Sequence, residues 1–514
     1  MNAFRSVAFV LMLGGFAAAG GCRAEGVEGV EGAEGVKLDA SVTPLLQDGH
    51  APASVLVYLK GKADLTASKA LATPAEKGSF VYRALAEKAQ QTQGPLRAWL
   101  GARGANFRSF HIINAVVVYD ATPALVREIA ARADVERVTL DKPFNIGLPG
   151  PGDVGATVDP PEANAVLAPG SNLVAAGAVQ VWNEFNVRGA GVVVAGQDTG
   201  VDWTHPALRN HYRGKRGNRV DHRYNWHDAI HAPVSGGNNP CGYDTAAPCD
   251  DNGHGTHTVG SIVGDDAAGN QIGMAPAARW IGCRNMDEGV GTPSRYIECF
   301  EWFLAPYPPG GNPLTDGDPT LAPDVINNSW GCPTSEGCQG QEIVPVLQTL
   351  NQAGIVVVVS AGNEGPSCGT INDQPATASS STLSVGAYSH TSGAIASFSS
   401  RGPSDLDGQP GPDVSAPGVS IRSCVPGGGY SSAFSGTSMA GPHVVGEVAL
   451  LLSADPTLRG NVEEITNIVR TTATPRTSTQ TCGGVPGSAV PNNTFGFGTI
   501  NAHAAVSSRF RSSN

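Results

Sequence analysis

The chain has 514 residues, 41% of them hydrophobic and only 15% charged, with 66 glycines and 37 prolines. That length holds one large domain plus a smaller one, and that balance fits tight turns around a large core, not a disordered chain. The formal net charge of -12 comes with no basic stripe, which argues against a nucleic-acid partner; its plain consequence is solubility.

In chain order, Arg5 precedes a short apolar run at residues 7–16 and a small-residue end, Ala17 to Gly21. The run is too short to span a membrane, and residues 1–22 read as an export signal. Cys22 closes Ala19-Gly20-Gly21-Cys22, which resembles a bacterial lipobox with Ala where Leu is usual. Two readings stay open: a lipid anchor on Cys22 before maturation, or plain secretion. Residues 23–50 carry an acidic Glu-Gly repeat at 25–36 with no face to bury and read as a flexible tether. No later stretch has transmembrane length.

Residues 51–142 have a different texture. Strands are predicted at 55–59, 115–119 and 135–140. Helices are predicted at 84–93 and 122–132, the second with Thr122 as N-cap and Pro123 at its first position. Alternation of this kind makes a small split βαβ unit, an α+β ferredoxin-like domain. Residues 143–174 are a Pro/Gly/Ala-rich linker, the kind of exposed connector where proteolysis concentrates.

From 175 to 510, strands alternate with helices. The near-continuous aliphatic runs at 191–197, 325–330 and 354–360 read as strands covered on both faces, as in a mostly parallel sheet of a three-layer α/β domain. Ligands bind at the carboxyl ends of such strands, and three motifs with chemical content fall at a strand end or a helix start. Asp198-Thr199-Gly200 offers a carboxylate that can hold an imidazole in one tautomer, though a strand-end turn is the bland alternative. No second motif of this kind supplies the carboxylate pair of an aspartic protease. Asn252-Gly-His254-Gly-Thr-His257 flanks a histidine with small residues, and it lacks the Glu a zinc helix would need. Ser435-Gly-Thr-Ser438-Met-Ala-Gly-Pro puts a serine at a helix start, where backbone N–H groups favour a developing oxyanion; an ordinary N-cap is the bland alternative.

Taken together, in the order Asp, His, Ser, these segments resemble the subtilisin-like serine protease family, over residues 175–510. The resemblance implies a secreted serine endopeptidase with Asp198, His254 and Ser438 as its triad. It makes Asn363, in Ser360-Ala361-Gly362-Asn363, the side-chain oxyanion donor. It assigns Ser329, Trp330, Gly331, Ser360, Ala361 and Gly362 to substrate binding. Residues 51–142 resemble the family's inhibitory propeptide, which implies an autoprocessed zymogen cut in the 143–174 linker. The style of 325–331 and of Ser399-Ser-Arg-Gly-Pro403 suggests the bacillopeptidase F branch.

Substrates would be proteins or peptides, with the propeptide as intramolecular inhibitor. No cofactor is required. Asp265 and Asp266 lie where some members carry calcium, but a solvated turn is the reading favoured for them, and the metal stays unknown. The named pocket walls carry no charge and point to an apolar side chain before the cut bond. Gln197, preceding the catalytic Asp, departs from the family's aliphatic residue and needs a partner if buried.

Of ten cysteines, nine lie beyond residue 240. Cys241/Cys249, Cys332/Cys338 and Cys283/Cys299 are candidate pairs, which leaves Cys368, Cys424 and Cys482 with one odd thiol; no Cys-x-x-Cys supports zinc. Two rivals remain: a catalytically inactive subtilisin-like binding or adhesion module, and an esterase, which would show a Gly-x-Ser-x-Gly elbow.

Overall fold

Two sheets organise the chain. The computed structural model describes residues 37–47, 51–145, 147, 169–237, 239–338, 342–378 and 380–511. The export signal, the lipobox at Cys22, the acidic repeat and most of the 143–174 linker lie outside the described residues.

The N-terminal sheet holds β1 (Lys37–Leu38), β2 (Ala53–Leu59), β3 (Phe107–Phe110), β4 (Ala115–Ala121) and β5 (Val135–Leu140), in the order β1-β5-β2-β4-β3. Helices α1 (Pro74–Gly101) and α2 (Pro123–Ala130) complete a β-α-β-β-α-β unit. The tether is shorter than the sequence reading had it: β1 joins β5 in parallel, and Val42 is fully buried in this domain's core. Helix α1 runs well beyond the predicted 84–93. Thr73 and Glu76 form a capping box at its start, and Pro95 sits inside it. The packing of Leu96 and Leu100 in the core carries the helix past that proline.

The alternation along β2 has a physical use. Val55, Val57 and Leu59 pack with Leu96, Leu100 and Val126, while Leu56 and Tyr58 pack with residues of the following domain such as Phe300, Phe303 and Leu347. Both faces of this sheet are therefore covered, which is why β2 and β4 read as largely aliphatic runs.

The larger sheet has seven strands, all parallel. They are β7 (Val193–Asp198), β8 (Trp226–Asp228), β9 (Arg279–Arg284), β11 (Val325–Asn328), β12 (Val356–Ser360), β13 (Leu383–Tyr388) and β14 (Val414–Pro417), in the order β8-β9-β7-β11-β12-β13-β14. A short antiparallel pair links β6 (Phe144–Asn145) to β10 (Val290–Gly291). Helices α3 (His254–Val263) and α6 (Thr437–Ala454) pack in the core on one side of the sheet; α4 (Pro293–Leu304) and α5 (Val344–Gln352) pack in the core shared with the N-terminal domain. This is a three-layer α/β domain. Its core includes residues before 175, since a helix at Ser171–Ala175 buries Leu173 in the main core.

Polar contacts tie the two domains. Arg108 pairs with buried Glu298 at 2.7 Å. Glu301 accepts from the backbone N–H groups of His111 and Ile112 at 2.6 and 3.0 Å. Asp141 accepts from Ser294 N–H at 2.8 Å and its hydroxyl at 2.7 Å, which caps the first turn of α4 from another domain.

Candidate active site

Strand β7 ends on Asp198, and the chain must then turn sharply. Gly200 adopts φ +113°, and a Cβ there would lie 1.8 Å from the Cys249 carbonyl oxygen, so only glycine fits. His254 is the first residue of α3. Gly255 lets that helix approach β7: a Cβ on it would sit 2.1 Å from the Gly200 carbonyl oxygen.

The two segments are locked by a residue the sequence reading missed. Asp250 Oδ1 accepts from the Thr199 hydroxyl at 2.8 Å and from Gly253 N–H at 2.8 Å, and its Oδ2 accepts from Thr256 N–H at 2.9 Å. The signal for it was present: a carboxylate just ahead of a helix start.

The result is a close pair. His254 Nδ1 lies 2.8 and 3.0 Å from the two Asp198 oxygens, with both side chains out of solvent. Asp198 also accepts from Thr199 N–H at 2.8 Å. His254 Nε2 is buried and has no hydrogen-bond partner among the described residues. His257, the second histidine of the motif, is structural. It stacks on Phe434 at 4.2 Å, its Nε2 lies 3.0 Å from the Ile421 carbonyl oxygen, and burial pushes it down to about 3.

Ser438 opens α6 one residue after Thr437. Its hydroxyl donates to the Ser329 carbonyl at 3.1 Å. Asn363 Oδ1 accepts from Thr437 N–H and from the Thr437 hydroxyl, both at 2.9 Å. That fixes the amide and leaves its NH2 group for the cleft.

A cleft of about 350 Å³ is lined by Ser438 and Asn363 and by all six residues assigned to substrate binding: Ser329, Trp330, Gly331, Ser360, Ala361 and Gly362. The six carry no charge, but the lining also includes Glu364 and Asp373, so the cleft as a whole is not uncharged. The sequence reading stopped at the strand ends, and Asp373 comes from a loop ten residues beyond Asn363. Phe144, Asn145 and Gly147, from the start of the linker, line the same cleft.

Gln197 has its partners. Fully buried, it donates through Nε2 to Asn328 Oδ1 at 2.7 Å and accepts from Asn285 Nδ2 at 3.0 Å. Among the described residues four disulfides form, the three candidate pairs and Cys368–Cys482, and Cys424 is free and buried.

Asp265 and Asp266 serve the turn they stand in. Asp265 accepts from Ala267 N–H, and Asp266 accepts from Ala268 N–H, from Asn270 and from the Tyr430 hydroxyl. Among the described residues no helix is long and apolar enough to cross a membrane.

Comparison with known proteins places this geometry. The model of the subtilase family matches residues 189–498. The chain is 34% identical to bacillopeptidase F of Bacillus subtilis (strain 168) over 475 residues, 87% of this chain and 30% of that protein. It is 36% identical to subtilisin E of the same organism over 270 residues, 52% of this chain and 57% of the relative. It is 35% identical to a subtilisin of Bacillus pumilus over 270 residues, 79% of that relative. The chain thus spans under a third of the first relative's length and just over half of the second's.

Proposed function

The chain belongs to the subtilase family, and on that footing we propose that it is a serine endopeptidase with Asp198, His254 and Ser438 as its triad. The observation that carries this reading is the buried His254–Asp198 pair, bonded through Nδ1 with Nε2 left unpartnered. That is the tautomer a general base needs.

In this reading Ser438 turns its hydroxyl from the Ser329 carbonyl to His254 Nε2, which takes the proton as Oγ attacks the peptide carbonyl. Apo sites often hold such hydrogen bonds unformed until substrate arrives. Asp198 keeps the imidazole oriented and stabilises its cation. The Asn363 amide and the Ser438 backbone N–H receive the oxyanion. His254 then gives its proton to the leaving amine, and water releases the acyl group from Ser438.

The protein is made as a zymogen in this account, with residues 51–142 as the inhibitory domain. Support comes from β6, which lies antiparallel to β10 and reaches the cleft with Phe144 and Asn145. An extended peptide substrate would add to the same edge. Maturation then cuts the 143–174 linker beyond Gly147. Export follows from the signal at 1–22, and a lipid on Cys22 would hold the precursor at the envelope until that cut frees the catalytic domain.

Labelling with a serine-directed fluorophosphonate, followed by mass spectrometry of the labelled peptide and of the mature N-terminus, tests all of this. Modification of Ser438 and a new N-terminus inside 143–174 are expected. A folded protein that neither labels nor cleaves would be the inactive binding module instead.

A further inference from the structure

We propose that Asp373, with Glu364 beside it, makes the cleft select a cationic side chain, lysine or arginine, on the residue just before the cut bond. The inference rests on the protease reading above and adds a specificity residue to it. Two of the described residues lining the cleft are acidic, and none of those described is basic.

Asp373 is built into the wall. A Cβ on Gly331 would stand 3.2 Å from Asp373 Oδ2 and 3.3 Å from its Cβ, so the carboxylate lies against the strip left bare by that glycine. On the second wall, a Cβ on Gly362 would stand 2.5 Å from Glu364 Oε2. The two carboxylates differ in their partners. Glu364 Oε2 accepts from the Ser400 hydroxyl at 2.8 Å. The Asp373 carboxylate receives no hydrogen bond among the described residues; only burial and the charges of Glu364 and Asp405 act on it, and they push it up to about 6. At neutral pH it is therefore a half-buried anion with no counter-ion. Removing a charge from water without pairing it is costly, and an arriving cation relieves that cost.

The position is rigid. Cys332 N–H donates to the Gln374 carbonyl at 2.6 Å, and Gln374 N–H donates back to the Cys332 carbonyl at 3.3 Å. Cys332 is in turn joined to Cys338. Asp373 itself accepts from Thr377 N–H at 3.1 Å through its backbone carbonyl. Trp330, Ala361 and Ala376 supply apolar lining for the methylene stem of a long cationic side chain. The chain's own segment in the cleft does not provide the cation, because residues 143–187 contain no Lys or Arg. The maturation cut within 143–174 is then made in cis, where tethering supplies the effective concentration that this contact gives a free substrate, and the anion is left for a substrate arriving from another molecule.

The test uses the processed protein and peptide anilides identical except for Lys, Arg, Phe or Leu before the cut bond. Rates are taken per active site counted by fluorophosphonate labelling, so misfolded protein does not enter. Wild type is expected to favour Lys and Arg. In Asp373→Asn the ratio of kcat/KM for Lys over Phe should fall roughly 10- to 100-fold, below the range for truncating one partner of a fully buried charge pair because Asp373 is only half-buried, with the Phe and Leu reporters cleaved faster. Glu364→Gln, should Asp373→Asn fail to label, should shift the ratio the same way by less. A wild type that labels fully and prefers Phe or Leu, or a ratio unmoved in both variants, overturns the inference and leaves the protease reading standing. Absence of both labelling and turnover in wild type overturns that reading, and this one with it.

Discussion

Ser438 donates its hydroxyl to the Ser329 carbonyl at 3.1 Å, and Ser329 donates its own hydroxyl back to the Ser438 carbonyl at 2.9 Å. The reciprocal pair clamps the start of α6 to the wall of the cleft. Ser329 Oγ also accepts from Asn327 Nδ2 at 2.9 Å. Ser329→Ala removes two of these three bonds and leaves a buried carbonyl and a buried amide short of partners. A loss of about 1–3 kcal/mol in stability is expected in urea unfolding, with kcat reduced more than KM is raised.

Ser438→Ala should erase turnover and leave the linker uncut, since triad members act as a unit. Asn363→Leu should keep the fold and lose about 10²–10³ in kcat, the loss a subtilisin shows when its side-chain oxyanion donor is removed. Gel mobility of the precursor and single-turnover kinetics check the two variants. A processed, fully active Ser438→Ala would end the assignment.

Gln197→Leu should destabilise the sheet without touching the cleft. Asn328 and Asn285 would each lose a partner inside the core, at a cost of about 2–4 kcal/mol. Urea titration in the Ser438→Ala background, where self-digestion is absent, measures it. A variant as stable as wild type would mean that neither asparagine depends on Gln197.

Glu447 gives the protein a pH-dependent weakness. It is fully buried on α6, and burial pushes its carboxyl up from 4.5 to about 8, offset only in part by the Asn501 backbone. The unfolded chain releases this proton near 4.5 and the folded chain near 8, so stability falls as pH rises between those values. Glu447→Gln should melt like wild type at pH 4 and be more stable at pH 8 by about 3–5 kcal/mol. Calorimetric melts across that range test it, and equal pH slopes for both proteins would refute it.

The helix at Pro74–Gly101 shows where sequence reasoning falls short. Gly78 and Gly94-Pro95 look like breakers, so only the middle of the helix is legible. Tertiary burial of Val81, Leu85, Leu96 and Leu100 overrides them. The strand at 356–360, by contrast, can be placed from composition alone, because an unbroken aliphatic run has few other places to go.

The sequence by itself determined the family and the α/β architecture, and it singled out Asp198, His254, Ser438 and Asn363 as the candidates for the chemistry. Each stands in a short motif whose meaning is local: a strand end, a glycine-flanked histidine, a helix start. Only the tertiary structure decided what those motifs meet. It gave Gln197 one partner on a neighbouring strand and one just past the end of another, joined Cys368 to Cys482 across 114 residues, and set Asp250 between Thr199 and Thr256. It also brought Phe144 and Asp373 into one cleft. Local periodicity and turn chemistry are written in neighbouring residues. The charge of a pocket is set by which distant loops the packing of the core brings together.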